Sequence, residues 1–267
     1  YLPLLARRGA KVTFLSQAKL VRLFEPLRAQ VALTAAIEDT KPFDYQIPLL
    51  SLPHRFGTDA ASIPGEVPYL RAEDALVARW STIGTQGFKI GIAWQGNMEG
   101  SADRARSFPL AEFAPLARLP GVRLISLQKG RGSEQIADLP SGVTVETLGA
   151  DFDAGPDAFI DTAAVMSRLD LVVTSDTSIA HLAGALGRPT WVVLKRVPDW
   201  RWLLGREDSP WYPTMRLFRQ ETLGDWKPVF ARMAEELGRC YLGVRPRPEA
   251  SSRMAVFAFA EIGRAHV

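Results

Sequence analysis

From residue 89 onward, short apolar runs and amphipathic stretches alternate with a regularity that predicts a βα repeat. The runs at 89–94, 123–127, 144–147, 171–173 and 190–194 read as strands. The stretches at 110–118, 133–138, 161–168 and 226–237 read as helices, with a further apolar stretch at 215–218. Five strands spaced in this way predict a doubly wound parallel sheet with its own core. Upstream, 2–8 reads as the end of a helix stopped by Gly9, followed by apolar segments at 11–15, 31–34 and 45–52 and a helical pattern over 17–28. Residues 53–68 carry Pro53, Pro64 and Pro68 with little periodicity and read as a loop, and 71–80 reads as a helix. The polar, glycine-containing segment 81–87 marks a boundary. Three parts are expected: 1–84, 85–245 and a tail 246–267.

The clearest unit is 169–194, LDLVVTSDTSIAHLAGALGRPTWVVL, in which polar side chains gather only at the strand-to-helix turn. Leu171, Val172 and Val173 form the continuous apolar run of a strand buried on both faces. Ser175, Asp176, Thr177 and Ser178 offer N-cap side chains, 179–186 supplies the helix, and Gly187 ends it. His181 follows Thr177 by four residues and Ser178 by three, so the three share one helical face beside an N-terminus that attracts anions. A protonatable imidazole is therefore expected to face a ligand. Ala180, Ala183 and Gly184 suit close helix-to-sheet packing.

In a parallel sheet, polar clusters that follow strands gather at one edge, and ligands bind there. After 89–94 come Gln95, Gly96 and Asn97, then Arg104, Arg106 and Ser107, whose guanidinium groups suit phosphates. After 123–127 come Gln128, Lys129 and Gly130. Asp176 would repel a phosphate and is expected to cap backbone N–H groups or accept from a sugar hydroxyl. Asp151 and Asp153 imitate a divalent-metal pair, but no third ligand is evident nearby and no metal site is assigned. Trp200 and Trp202 are expected to pack against the C-terminal helix rather than stack on a sugar.

Composition sets limits on this reading. An apolar fraction of 47% supports sizeable cores, and 32 basic against 29 acidic residues give a net charge of only +3. No basic stripe interleaved with aromatics points to nucleic acid. No run reaches the ~18 apolar residues of a membrane span. The single cysteine, Cys240, excludes an internal disulfide framework and suits a cytoplasmic location. The opening YLPLLARRGAKVTFL, entered at a helix end, implies missing upstream sequence. The closing EIGRAHV, 261–267, reads as non-native and is excluded together with His266.

The order IGIAWQGN, RSFPL, SLQKG, DTAAVMSRLDLVVTSDTSIAHLAGALGRP and PDWRWLLGREDSPWYPTMRLFRQ resembles the glycosyltransferase-like domain that follows tetratricopeptide repeats in many bacterial proteins. That domain is similar to the heptosyltransferase family, glycosyltransferase family 9. The resemblance covers about residues 1–240 and implies an α/β GT-B-like fold of two Rossmann-like domains with parallel sheets, the N-terminal one truncated. It further implies a metal-independent, inverting transfer with no cofactor, from a nucleotide diphosphate-sugar donor to an acceptor hydroxyl on a glycan, a lipid-linked glycan or a protein. Asp176, Thr177, Ser178 and His181 fall on the family's nucleotide-binding turn, and Arg106 falls where heptosyltransferases carry a phosphate-binding lysine. Gln95, Gly96 and Asn97 fall on the diphosphate loop, and Gln128 and Lys129 near ribose and base. The family's acceptor-side strand and turn precede Tyr1, so no catalytic base is assigned, and this chain alone is expected to bind donor without transferring sugar. Two other readings stand beside this one: a non-catalytic nucleotide-binding scaffold of a repeat protein, and a sugar-nucleotide epimerase of the same fold, which calls for several carboxylates in the cleft.

Overall fold

The computed structural model describes residues 1–37, 42–96, 105–241 and 243. The molecule is α/β, with two parallel sheets. Its first part holds helix α1 (Leu2–Arg7) and strands β1 (Thr13–Leu15) and β2 (Ala32–Thr34), which pair in parallel with Phe14 opposite Leu33. Helices α2 (Leu52–Arg55) and α3 (Asp74–Arg79) lead into the larger unit. There β3 (Phe88–Ala93), β4 (Val122–Ser126), β5 (Leu171–Ser175), β6 (Thr190–Leu194) and β7 (Met215–Arg219) form one sheet in the order β4-β3-β5-β6-β7, every pair parallel.

Residue alternation sorts the sheet into two faces. Ile90, Ile92, Leu171, Val173, Trp191, Val193 and Phe218 pack with α4 (Ala114–Ala117) and α7 (Lys227–Cys240) through Leu116, Phe230 and Met233. On the other face, Ala93, Ile125 and Val172 meet α5 (Ile160–Met166) and α6 (Ser178–Ala185), while Val192, Leu194 and Leu217 pack with Ala180 and Trp202. Because β5 and β6 are buried along their full length, they carry no polar alternation.

Several sequence expectations change. The five-stranded sheet includes 215–219, but 144–147 makes only a single bridge, Glu146 opposite Ile125, along the outer edge of β4. The helical pattern at 17–28 becomes two 3-10 segments, Ala18–Leu20 and Glu25–Ala29. Pro26 lacks the N–H that an α-helix would donate to Arg22, so the pattern breaks there. The apolar stretch 45–52 forms no strand; Tyr45 is exposed and 49–51 turn as a 3-10 segment. The tail 246–267 lies outside the described residues.

The first part packs on the second through one continuous core. Leu23, Leu70, Trp80 and Ile83 join Phe152, Ala163 and Met166 in a single cluster. Arg22 chelates Glu73 at 2.7 Å and reaches Asp157 at 3.2 Å, and Ala158 N–H donates to the Lys19 carbonyl at 2.8 Å. At the centre of the sheet, a Cβ on Gly91 would lie 2.3 Å from Leu169 Cδ1 and 2.8 Å from Leu127 Cδ1. Gly91→Ala should therefore overpack the α5 side of the sheet and lower unfolding free energy by about 1–3 kcal/mol. Denaturant titration checks this, and an unchanged midpoint would show that Leu169 and Leu127 move aside freely.

Candidate functional site

The strand order reverses beside β3, because its sequence neighbour β4 lies on one side and β5 on the other. At such a point the connections leave a crevice beyond the strands' carboxyl ends. A cavity of about 1080 Å³ lies there, lined by segments following β3, β4, β5 and β6. It contains Gln95, Gly96, Arg106, Gln128, Lys129, Asp176, Thr177, Ser178 and His181. Asn97 and Arg104 lie outside the described residues.

These residues divide by what their side chains already hold. Gln128 clamps the β3 loop: its Oε1 accepts from Trp94 and Gln95 N–H at 3.1 Å, and its Nε2 donates to the Gln95 and Arg131 carbonyls at 3.0 and 2.9 Å. Lys129 Nζ donates to the Phe152 carbonyl at 2.9 Å and to that of Asp153. Gly96 N–H donates to Ser107 Oγ at 3.0 Å. Gln128 and Lys129 thus shape the crevice by fixing its walls. The glycine at 132 is required twice over: φ is +92°, and a Cβ would lie 2.9 Å from Gln95 Oε1.

The β5 turn is arranged differently. Thr177 is the N-cap of α6 in extended geometry, and its side chain makes no capping bond, so the expected side-chain cap is not formed. Thr177, Ser178 and Ile179 all line the cavity, which places the positive end of α6 at its wall. Arg106 reaches across from the β3 loop and donates to the Asp176 carbonyl at 3.0 Å, bringing a guanidinium beside that terminus.

The lining holds four cationic groups, Lys19, Arg131, Lys195 and Arg201, that the strand-by-strand reading did not name. Lys195 directly follows β6, so the same edge rule reaches it. Arg201 sits in the PDWRW segment, where attention to the tryptophans hid it. Its Nη1 pairs with Asp199 at 2.7 Å and its guanidinium lies over Trp200. Only a fold brings Lys19 here. Among the lining carboxylates, Asp153 is committed to α5, accepting from Asp161 N–H at 2.9 Å and from Thr162 Oγ1. Among the described lining residues, six cationic side chains face three carboxylates, so the crevice suits a polyanion.

His181 is half-buried against aromatic rings. It stacks on Trp202 at 5.4 Å between centroids, and its Nδ1 lies 3.2 Å from the Tyr212 hydroxyl. Trp202 therefore packs between α6 and the sheet rather than on α7, and Trp200 is exposed. Burial pushes the imidazole below its ordinary 6.5, with Asp176 and Asp199 opposing and Arg201 assisting. The protonatable imidazole expected here is thus held neutral at pH 7. Below 6.5 the unfolded chain takes up a proton that this pocket refuses, so the His181 contribution lowers stability as pH falls from 6.5 toward the depressed folded value. The stability advantage of the parent chain over His181→Gln should thus shrink between pH 7.5 and pH 5, read by denaturant titration. An advantage that grows toward acid would contradict a neutral imidazole.

Residues 122–193, from β4 to β6, match the model of glycosyltransferase family 9 (heptosyltransferase). Over 209 residues, 75% of this chain, the sequence is 33% identical to Protein FlbA of Caulobacter vibrioides, of which the match covers 34%. The chain thus spans about a third of the length of that curated relative. Among solved structures, E. coli ADP-heptose LPS heptosyltransferase II is similar at 19% identity and a TM-score of 0.45, over 64% of this chain and 52% of that one. E. coli heptosyltransferase WaaC with ADP-2-deoxy-2-fluoro heptose is similar at 16% identity and a TM-score of 0.42, over 74% and 59%. The segment that carries Gln128, Lys129 and the turn from Asp176 to His181 is accordingly the part of this chain similar to glycosyltransferase family 9 (heptosyltransferase).

Proposed function

We propose that residues 85–245 form the donor-binding domain of a GT-B-like glycosyltransferase, with residues 1–84 on the acceptor side. The donor is a nucleotide diphosphate-sugar. The observation that carries this reading is the open N-terminus of α6, set at the wall of a cation-lined crevice where the strand order reverses. The family 9 match over 122–193 supports it, as that segment contains the turn itself.

In this reading the acceptor hydroxyl attacks the anomeric carbon opposite the diphosphate, and configuration inverts. The carbon–oxygen bond to the diphosphate breaks, its electron pair stays on the departing phosphate, and the acceptor proton passes to a general base. Charge grows on the leaving group. The α6 terminus, Arg106, Lys195 and Arg201 are arranged to stabilise that charge without reorganising. Such a cationic lining does the neutralising work that a divalent ion does elsewhere, so the transfer is metal-independent. Asp153, one of the pair that imitates a metal site, spends its carboxylate on the start of α5. The same commitment weakens an epimerase reading, as does the Asp199–Arg201 pair, because both withdraw carboxylates from the cleft.

In the longer protein we place tetratricopeptide repeats ahead of this domain and the whole in the cytoplasm, in keeping with the exposed thiol of Cys240.

Calorimetry of the chain with ADP and with UDP in the presence of EDTA should show binding to at least one of them. Arg106→Ala should weaken that binding about 10- to 100-fold, the range for a lost hydrogen bond to a charged group. Binding that needs magnesium or manganese would overturn the metal-independent reading. No binding of either nucleotide with or without metal would favour a scaffold without a donor site.

A further inference from the structure

The contact between His181 and Tyr212 is built with care. Tyr212 lies in the loop before β7, remote in sequence from α6, yet its ring packs against that helix at Gly184. A Cβ at position 184 would fall 2.4 Å from Tyr212 Cδ1 and 2.5 Å from Cγ. Gly184 stands one helical turn after His181, on the same face of α6. The missing side chain is thus what lets the phenol close on the imidazole, giving Gly184 a purpose beyond helix-to-sheet packing. Behind Tyr212 lies Tyr69, and burial pushes both phenols above their ordinary range. Tyr69 is itself fixed by its N–H donating to the Ala185 carbonyl at 3.0 Å. The polar group that meets Nδ1 of His181 is thus the Tyr212 hydroxyl.

The direction of that chain follows from acidity. A phenol O–H is the better donor and a neutral imidazole nitrogen the better acceptor, so Tyr212 donates and Nδ1 accepts. The ring proton is then left on Nε2.

We propose that Tyr212 is a positioning residue that holds His181 in its Nε2–H tautomer, so that the imidazole offers an uncharged donor to a phosphate oxygen in the crevice. The ligand half of this proposal rests on the donor-binding function argued above. An uncharged donor adds a hydrogen bond without adding to a lining already rich in cations, and Trp202 stacked on the ring fixes its plane. The charged and titratable groups acting on His181 are Asp176 on its own turn, Asp199 and Arg201 from the loop after β6, and Tyr212.

The test is nitrogen-15 NMR of the histidine rings in the chain 1–267, with ADP and UDP titrations of the same samples. The parent chain should show His181 protonated on Nε2. Tyr212→Phe keeps the ring against Gly184 but removes the hydroxyl. It should produce a mixture of tautomers, raise the imidazole pKa toward its ordinary value, and weaken nucleotide binding about 3- to 10-fold. Gly184→Ala should reproduce the tautomer change by displacing the ring while keeping the hydroxyl in the sequence. A parent ring protonated on Nδ1, or a tautomer and pKa indifferent to Tyr212→Phe, would overturn the positioning role. Tautomer control in a parent chain that binds neither nucleotide would overturn the ligand half together with the proposed function. Nucleotide binding insensitive to Tyr212→Phe would overturn the Tyr212 contribution alone.

Discussion

The parallel pairing of β3 with both β4 and β5 is the constraint from which the rest of this molecule follows. Each strand of the larger sheet enters from the same side, so every loop that leaves a carboxyl end emerges at one edge. Between β3 and β5 the connections depart in opposite directions. Gly91 allows the α5 side of the sheet to close on β3 at this point. The crevice is therefore a product of topology, and its chemistry comes from whichever residues occupy the first few positions beyond each strand.

Those positions do two kinds of work. Gln128, Lys129 and Asp153 use their polar atoms on backbone groups and on the start of α5, which makes the walls rigid. The α6 terminus, Arg106 and His181 are presented toward the space those walls enclose. Rigid walls matter for a charged ligand, because donors held in place need not be reorganised when charge arrives. The aromatic set around His181 extends the same logic, surrounding an imidazole with Trp202 and Tyr212 so that burial keeps it neutral.

Much of this was legible in the sequence because β5 and β6 are buried on both faces and their runs are unbroken. The edge rule then gathers Gln95, Gly96, Arg106, Gln128, Lys129 and the 176–181 turn into one cavity, as the structure does. What escaped depended on long-range contacts. The side-chain hydrogen bonds of Gln128 cannot be read from SLQKG, because its partners lie about thirty residues earlier on the β3 loop. Lys19 arrives from the first part of the chain, where Pro26 splits an apparently helical pattern into 3-10 segments. The depressed basicity of His181 is likewise set by long-range contacts, because spacing shows which face a residue shares but not how deeply neighbouring rings bury it.

Amide chemical-shift mapping tests most directly the proposed binding of a nucleoside diphosphate at the β3/β5 crevice. Titrating ADP or UDP into the isotopically labelled chain should shift the amides of Gly96, Arg106 and residues 176–181, with Lys195 and Arg201 following, while the β1/β2 strands stay unmoved. Shifts concentrated at residues 18–35 and 71–73, around a separate cavity lined by Val21, Leu33 and Ala72 beside β2, with the α6 turn silent, would contradict the account.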